Sequence, residues 1–303
     1  MTAAPVVEEL TRLGGVATRA ALLLRVSRSE LDAAVAGGAV LRLARGRYAL
    51  ASVDQALAAA HALSGVLCLA SAALHWGWAV KHPPERPQVT VPRNRRVAPE
   101  RSRAVDLRRL RLDADDVVDG ATGRDRTLLD CLRHLPFDEA LAVADSALRD
   151  GYSPDRLRAL TRDARGPGAP MMRRIADLAS AAAANPFESA LRAIALRVPG
   201  LQVRPQVSIR GQVGSTTRFL GKVDLADERL GIIAEADSFE WHGDRAALRN
   251  DARRYNAFVV HGWLVLRFTW EDVMFRPDEV EAVLRAAVAE RTRLLCSRCR
   301  SAS

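Results

Sequence analysis

The chain has almost no lysine. Of its 45 basic residues only Lys81 and Lys222 are lysine, and the remainder are arginine. The net charge is +9 and the isoelectric point is about 10.3. Arginine forms paired hydrogen bonds with phosphate and with guanine, so this balance favours a polyanionic partner such as DNA. A GC-rich genome is the alternative explanation for the excess of arginine.

Cysteine and long apolar runs are also scarce. Four cysteines in 303 residues do not suggest a disulfide framework. Cys296 and Cys299 form CSRC, which is half of a zinc site, and no matching pair occurs elsewhere in the sequence. No stretch approaches the roughly 18 apolar residues of a membrane span, and Met1–Glu9 lacks the pattern of a signal peptide. We therefore expect a cytoplasmic protein with no membrane partner.

The residues that are present suffice for several domains. Hydrophobic residues make up 49% of the chain, which argues against disorder, and the length exceeds one typical domain. The expected fold class is a multidomain α+β protein. The sequence predicts domains over residues 1–52, 53–165 and 171–293. The glycine- and proline-rich segment Arg165–Pro170 is typical of a linker.

The first domain has the pattern of a winged helix-turn-helix. Its first helix is predicted to stop at Gly14, its second to begin at Thr18, and its third to begin at a capping box from Ser27 to Glu30. The segment VLRLARGRYAL then alternates around a glycine turn, which predicts a two-stranded wing.

Arginines occur where such a domain contacts DNA. They flank the start of the third helix or lie in the wing, at Arg25, Arg28, Arg42, Arg45 and Arg47. At these places a guanidinium reaches phosphates or base edges. The alternative is a small helical domain whose arginines are only solvated.

The middle domain shows no catalytic constellation. Helices are predicted over 53–77, 124–134, 137–149 and 154–162, and strands at PQVTVP and VDLRRLRL. A run of arginines from Arg93 to Arg111 either extends a basic face or is a solvated surface.

Several N-terminal segments together resemble a known family. They are GGVATRAALL, VLRLARGRYAL, the helical region that follows, and PQVTVP. This set is similar to the antitoxin of abortive-infection type IV toxin–antitoxin systems. The resemblance implies a winged-helix repressor with a further C-terminal domain, and a cognate toxin as a possible partner.

Residues 171–293 show the most regular pattern of the chain. A helix begins at Asn185, strands are predicted at Leu201–Ile209, Thr217–Leu225 and Leu230–Ala236, and then come a polar helix over 245–259, a strand at Trp263–Thr269 and a helix over 277–293. This order predicts a mixed sheet flanked by helices.

Acidic residues lie on these elements. Asp224 is predicted to end a strand and Glu235 to lie inside the next one, so their carboxylates would converge. Carboxylates in a cleft need a proton or a cation, and Mg²⁺ or Mn²⁺ would also polarise a phosphate and activate water. The alternatives are a turn residue for Asp224 and a helix cap for Glu188, which follows Asn185 in a capping box.

The motifs FES, VDL, IIAEAD, WH and GWLVLRFTWEDV occur in this order over about residues 185–290. They resemble the very-short-patch DNA repair endonuclease, within the PD-(D/E)XK restriction-endonuclease-like fold. The resemblance implies an αβββαβ fold in which Asp224 is the principal Mg²⁺ ligand and Glu235 the second acidic position. It also implies that Glu188 is the helix-borne acid, that His242 orients water or acts as general acid or base, and that Asp251 is the acidic residue after the Trp-His pair.

The chain departs from this pattern at one position. Asp237 stands where the motif has lysine, which leaves His242 or Lys222 as a substitute. The helix that follows carries Arg249 and Arg253 one turn apart, a stripe that suits a phosphate backbone. An internal network of salt bridges is the alternative explanation for that stripe.

These features predict a DNA-binding protein with a Mg²⁺-dependent endonuclease-like domain, in phage defence or DNA repair. The rival interpretation is a non-enzymatic transcriptional regulator or antitoxin with a degenerate nuclease fold. The missing lysine favours the rival, whereas the joint presence of Asp224, Glu235 and His242 favours the enzyme.

Overall fold

The computed structural model describes most of the chain. The described residues are 4–13, 15–51, 54–213, 215–237 and 245–301. Helices and strands are mixed along the whole chain, which confirms the expected α+β class. The chain divides into two compact units, Met1–Leu135 and Pro136–Ser303.

The first unit begins with short helices and a small sheet. In chain order its first elements are α1 (Ala4–Arg12), β1 (Val16–Thr18), α2 (Arg19–Leu22), α3 (Arg28–Ala36), β2 (Val40–Ala44) and β3 (Arg47–Leu50). The strands form an antiparallel sheet in the order β1-β3-β2, so a third strand joins the predicted ribbon. The sequence pattern did not indicate β1, because three residues are too few to show an alternation.

Side-chain caps confirm the predicted starts of α2 and α3. Thr18 Oγ1 accepts a hydrogen bond from the Ala21 amide at 3.1 Å. Ser27 Oγ accepts from the Glu30 amide at 3.2 Å, and the Ser27 amide donates to Glu30 Oε2 at 2.7 Å. These reciprocal bonds satisfy amides that a helix start leaves without partners. Gly46 joins β2 to β3 with a φ of 72°, a conformation that glycine adopts without steric cost.

A second sheet completes the first unit. The remaining elements are α4 (Gln55–Ala62), β4 (Val66–Leu67), α5 (Leu69–His75), β5 (Gln88–Thr90), α6 (Pro99–Ser102), β6 (Asp106–Arg108), a 3₁₀ turn (Ala114–Asp116), β7 (Val117–Val118), β8 (Ala121–Thr122) and α7 (Arg124–His134). The strand order is β6-β5-β4-β8-β7. The predicted helix over 53–77 is wrong in its middle, where β4 separates α4 from α5. Gly65 permits this pairing, since a Cβ there would lie 2.6 Å from the Thr90 carbonyl oxygen.

The second unit begins with helices and continues into a mixed sheet. Its elements are α8 (Phe137–Arg149), α9 (Pro154–Arg162), α10 (Ala169–Leu178), α11 (Pro186–Ala195), β9 (Arg204–Val213), β10 (Thr216–Asp227), β11 (Ile232–Asp237), α12 (Arg245–Val260), β12 (Leu264–Thr269), α13 (Trp270–Phe275) and α14 (Pro277–Ser301). The sheet order is β12-β11-β10-β9, with β11 and β12 parallel and the other pairs antiparallel. Even α14, with 25 residues, lacks the apolar character of a membrane span, as does every other helix in the described ranges.

The division between the units lies before the predicted linker. Arg165–Pro170 is inside the second unit, where it leads into α10. Helix α8 packs on α11, and a buried ion pair joins the two helices, with Arg192 Nη2 at 2.6 Å from Asp145 Oδ1. Helices α8 and α9, which the sequence analysis assigned to the middle domain, therefore belong to the unit that carries the acidic residues.

Two apolar cores lie on the two faces of the four-stranded sheet. One contains Leu191 of α11 and Leu225 of β10. The other contains Phe258 of α12 and Val223 of β10. Residues two apart on a regular strand share a face, yet Val223 and Leu225 reach different cores. The alternation of β10 is therefore broken at Asp224, between them.

Candidate functional site

Acidic side chains from α11, β10 and β11 come together in the second unit. We refer to Glu188, Asp224 and Glu235 as the acidic cluster. Gln206 of β9 joins the first two, because its Nε2 donates to Glu188 Oε2 at 2.7 Å and to Asp224 Oδ1 at 3.2 Å. Asp224 Oδ2 also accepts a hydrogen bond from the Ala236 amide of β11 at 2.9 Å. Side-chain hydrogen bonds thus connect four neighbouring elements around Asp224.

Asp224 lies inside β10, so the prediction that it ends its strand is wrong. The ladder with β11 runs from Asp227 to Leu225 on the β10 side. The turn that follows is closed by Asp227, whose Oδ1 accepts a hydrogen bond from the Leu230 amide at 3.0 Å. The interpretation of Asp224 as a turn residue is therefore also wrong. The last backbone pair of this ladder is Leu225 with Ala234. Just beyond it, the Ala236 amide of β11 donates to the Asp224 carboxylate instead of to a backbone carbonyl of β10.

Glu188 caps the start of its helix and also shares a hydrogen-bond donor with Asp224. Its amide donates to Asn185 Oδ1 at 2.9 Å, and its Oε2 accepts from the Ala184 amide at 2.9 Å. Asn185 Nδ2 donates to its Oε1 at 3.1 Å. The same carboxylate accepts the Gln206 amide, so the alternative capping role and a role in the site coexist. The helix start fixes where this carboxylate lies.

Glu235 is held by two consecutive residues of α12. Its Oε2 accepts a short hydrogen bond from the Tyr255 hydroxyl and another from Arg254 Nη2 at 3.2 Å. Arg254 Nη1 also donates to the Lys222 carbonyl at 3.2 Å, while its Nε is buried without a hydrogen-bond partner among the described groups. Burial and the bond to Glu235 raise the pKa of Tyr255 above its usual range, so the phenol stays protonated and donates.

Asp237, at the position expected for lysine, is paired with an arginine. Arg267 Nη2 lies 2.5 Å from Asp237 Oδ2. Arg267 belongs to the adjacent parallel strand, where it stands beside Glu235 in the register. Its guanidinium carbon also lies 4.3 Å from the centroid of the Tyr255 ring. Positive charge thus reaches this edge of the acidic cluster from Arg267 of β12.

The pKa values of the three carboxyl groups in the acidic cluster are all raised. Burial is the largest cause that raises the pKa of Glu188, and the charge of Asp224 raises it further. Burial also raises the pKa of Asp224, against the hydrogen bond from the Ala236 amide. The pKa of Glu235 is raised by burial first and then by Asp224. Groups in this condition gain from a proton or a nearby cation.

The other residues predicted for this site lie around it or outside the description. His242 falls outside the described residues. Asp251 Oδ1 is 4.0 Å from Arg254 Nη2, at the limit of an ion pair. Arg249 and Arg253 are exposed on α12 and make no ion pair within the described ranges. Among the described residues, Asp251 therefore has one arginine at this limiting distance, whereas Arg249 and Arg253 have no acidic partner.

No sequence motif marks the further residues around the acidic cluster, which are Gln206, Arg254, Tyr255 and Arg267. A single glutamine in a strand gives no signal, because polar residues are common on the exposed face of any strand. Tyr255 and Arg267 sit at distant sequence positions, and their role depends on which elements become neighbours.

No ready-made metal site is present in the part of the chain that the structure describes. No group of three or more His, Cys, Asp or Glu side chains there is arranged to hold an ion. Each carboxylate of the acidic cluster instead accepts hydrogen bonds from protein donors, namely the side chains of Gln206, Arg254 and Tyr255 and the amides of Ala184 and Ala236.

The first unit carries exposed arginines without acidic partners. Those predicted to contact DNA are exposed at Arg25, Arg28, Arg42 and Arg45 and half-buried at Arg47. Burial, and then the charge of Arg95, lower the pKa of Arg47, so the hairpin lies near the second run of arginines. Among the described residues of that run, only Arg108 has an acidic partner, Asp106, at 2.6 Å.

Comparisons with known proteins give two relatives, neither of which has an assigned activity. No family model matches the chain. Two proteins of Mycobacterium tuberculosis, the uncharacterized proteins Rv2248 and MT2308, are each 27% identical over 280 residues, which cover 85% of this chain and 95% of each relative. The crystal structure of the RV2827C protein from Mycobacterium tuberculosis matches at 18% identity and a TM-score of 0.32, over 62% of this chain and 79% of that one. A TM-score of 0.32 does not establish a common fold, so arguments about function depend on the site.

Proposed function

We propose that the chain is a DNA-binding protein whose second unit hydrolyses phosphodiesters with a divalent cation. The acidic cluster carries this proposal. Glu188, Asp224 and Glu235 come from separate elements and gather where the β10–β11 ladder stops. Burial raises the pKa of each of these carboxyl groups. Carboxylates gathered in this way suit the divalent cations of metal-dependent nucleases.

The order of elements in the second unit supports the same proposal. A helix, three antiparallel strands, a second helix and a strand parallel to the third follow one another from α11 to β12. The resemblance to the very-short-patch repair endonuclease implies this αβββαβ order. On that basis we assign Asp224 as the first acid of the motif, Glu235 as the second and Glu188 as the helix-borne acid.

Carboxylate oxygens, which the acidic cluster supplies, are the ligands that a hard divalent cation takes. Glu188 and Asp224 already share one hydrogen-bond donor, and the charge of Asp224 raises the pKa of Glu235. We assign Asp224 and Glu235 as the residues that would hold Mg²⁺ or Mn²⁺, with Glu188 beside them. When bound, such an ion polarises a phosphate oxygen and lowers the pKa of water.

The neighbouring side chains orient the acids and supply charge. Arg254 and Tyr255 hold Glu235, so its carboxylate keeps one orientation. Arg267 neutralises Asp237, which stands in place of the motif lysine. The proposal keeps His242 as the group that orients water or exchanges a proton, as the resemblance implies, with Asp251 as the accompanying acid.

We assign DNA binding to arginines in both units. In the first unit, α2, α3 and the β2–β3 hairpin follow in the order of a winged helix-turn-helix, and α3 would be the recognition helix. Exposed arginines without acidic partners suit phosphates, because the guanidinium loses no internal ion pair on binding. The residues assigned to this role are Arg25, Arg28, Arg42, Arg45, Arg47, Arg249 and Arg253.

Plasmid nicking tests the proposal. Purified protein with Mg²⁺ or Mn²⁺ is expected to convert supercoiled plasmid to the nicked form, and EDTA should stop the reaction. Asp224→Asn should abolish nicking, because it removes the central charge of the cluster. Asp155→Asn is the matched control, since that side chain is 91% exposed on α9. Equal nicking by wild type and Asp224→Asn would contradict the assignment.

One observation favours a second function, a non-enzymatic regulator or antitoxin. The motif lysine is replaced by Asp237, and Arg267 pairs with it. In this case the winged helix binds an operator, the second unit binds DNA or a partner such as a cognate toxin, and no cation is required. A protein that binds DNA in a gel shift but neither nicks plasmid nor binds Mn²⁺ would support the regulator over the nuclease.

A further inference from the structure

Gln206 has an unusual backbone for its place in the sheet. Its φ is 56° at the third residue of β9, in the left-handed region where a side chain collides with its own backbone. Its neighbours on both sides stay paired with β10, so Gln206 stands directly opposite Asp224. Asp224 is also the position in β10 where the regular alternation of side chains breaks, since Val223 and Leu225 on either side of it belong to different cores.

The side chain of Gln206 bridges two acids with a single atom. Nε2 donates to Glu188 Oε2 at 2.7 Å and to Asp224 Oδ1 at 3.2 Å, so each amide hydrogen is used by a different carboxylate. The reverse orientation would place Oε1 against two negatively charged groups, which repel it. Two positively polarised amide hydrogens between two carboxylates resemble the arrangement that a bound cation would produce.

An open pocket lies beside this bridge. It measures about 440 Å³ and is lined by polar side chains that include Ser180, Arg204, Gln206, Ser208 and Glu228. A glutamine side chain that leaves the two acids therefore has space and hydrogen-bond partners on this side.

We propose that Gln206 is a positioning residue that substitutes for the cation in the metal-free protein. It holds Glu188 and Asp224 together, and it rotates out from between them when Mg²⁺ or Mn²⁺ binds. The inference rests on the proposed function, because it takes the acidic cluster as the cation site. In this proposal the neutral amide of Gln206 keeps the two acids together, and the divalent cation displaces that amide when it binds.

Charge at position 206 should therefore set the affinity for the ion. Gln206→Glu keeps the shape of the side chain and adds a carboxylate, so Mn²⁺ is expected to bind about tenfold more tightly. Gln206→Lys places a permanent cation between the acids, and Mn²⁺ should bind at least about tenfold more weakly. Isothermal titration calorimetry with MnCl₂ alone measures both, after circular dichroism has verified folding.

Matched controls lie on the same strand. Gln212 is exposed on β9, and its side chain makes one hydrogen bond, to Thr217 Oγ1 at 3.4 Å. Gln212→Glu and Gln212→Lys make the same changes of charge away from the acidic cluster. Both should bind Mn²⁺ as the wild type does. If net charge alone controlled the affinity for Mn²⁺, the variants at position 212 would change that affinity as much as the variants at position 206.

Gln206→Ala supplies a second readout that does not depend on the added charges. In EDTA this variant should melt below the wild type, because the two acids lose their shared donor. At saturating Mn²⁺ the difference in Tm should disappear, since the ion holds the acids in both proteins. A deficit of equal size with and without Mn²⁺ would show a purely structural role and overturn the inference.

The outcomes separate this inference from the proposed function. If the wild type binds Mn²⁺ and loses binding in Asp224→Asn, while Gln206→Glu and Gln206→Lys bind like the wild type, the cation site stands and the role of Gln206 is overturned. If the wild type itself binds no Mn²⁺ and nicks no plasmid, the proposed function and this inference both fail.

Discussion

The arginines predicted to contact DNA in the first unit differ from the charged residues around the acidic cluster in whether they have ion-pair partners. In the first unit, Arg25, Arg28, Arg42 and Arg45 are exposed and have no acidic partner among the described residues. In the second unit, charged groups near the acidic cluster are paired, as in Arg254–Glu235, Arg267–Asp237 and Arg192–Asp145. The exposed arginines are available to bind another molecule, whereas the paired charges fix the positions of side chains within the protein.

The physical basis of the contrast is solvation. An exposed guanidinium keeps its water, so it binds a phosphate reversibly and in a manner that salt weakens. A buried ion has lost its water, so removal of its partner leaves a charge that nothing compensates. Surface arginines therefore suit recognition, whereas the buried pairs position the catalytic candidates.

The largest effect is expected from breaking the buried pair between α8 and α11. Asp145 also accepts hydrogen bonds from the Ser189 hydroxyl at 2.7 Å and the Ser180 amide at 2.8 Å. Asp145→Ala should lower the free energy of unfolding by about 3–5 kcal/mol, because it strands Arg192 in the interior. Urea denaturation measures this. Asp155→Ala on exposed α9 is the control, and a loss of similar size in both variants would refute the contrast.

The second prediction concerns the unpaired arginines of the first unit. Arg28→Ala and Arg45→Ala together should weaken DNA binding and reduce the slope of log K against log salt by about 0.9 for each phosphate that the protein no longer neutralises. Gel shifts over a range of salt concentrations measure both quantities. The control is the pair Arg285→Ala and Arg293→Ala, whose side chains already pair with glutamates on α14. Equal slopes for both double variants would contradict the assignment to α3 and the hairpin.

The third prediction is a pH dependence of the metal-free protein. Burial, assisted by the charge of Asp224, raises the pKa of Glu188 and Glu235 above the unfolded values. The folded state then binds more protons than the unfolded chain between the two pKa values, so the stability from these groups falls as pH rises through that window. Asp224→Asn removes a repelling charge, and its Tm in EDTA should fall less over the same window. Parallel curves for the variant and wild type would contradict the coupling.

The smallest effect is expected from the partly exposed pair at the lysine position. Arg267 and Asp237 retain 41% and 32% of their side-chain exposure, so solvent screens much of their attraction. Arg267→Ala should cost less than about 1 kcal/mol of unfolding free energy. Arg267→Lys keeps the charge but loses the flat contact with the Tyr255 ring, so it should recover part of the loss. If Arg267→Ala lowers the free energy of unfolding as much as Asp145→Ala does, solvent exposure does not determine how much these ion pairs stabilise the protein.

Local sequence patterns were sufficient for much of the secondary structure. Helices α8 and α9 begin and end where the periodicity predicted, and the caps at Thr18 and Ser27 form as their spacing indicated. The order of elements from α11 to β12 also follows the prediction. These features depend on residues a few positions apart, and such residues interact in the same way in most tertiary settings.

The predictions failed where a segment took its conformation from distant residues. Strand β4 interrupts a predicted helix because Gly65 lets it approach β5. Helix α8 joins the second unit because Asp145 reaches Arg192, 47 positions away. No pattern within α8 shows that pairing, since a buried aspartate and a solvated one look alike in sequence.

The α+β class, the order of the acidic residues and the arginine-rich composition can be read from the amino-acid sequence alone. The pairing of the charges cannot, because it depends on the tertiary structure. It brought Gln206 between Glu188 and Asp224, and it placed Arg254 and Tyr255 against Glu235. The physical reason is that the pKa and the partners of a carboxylate depend on burial and on neighbours within a few ångströms. Those neighbours come from other strands and helices, and the chain acquires them only when it folds.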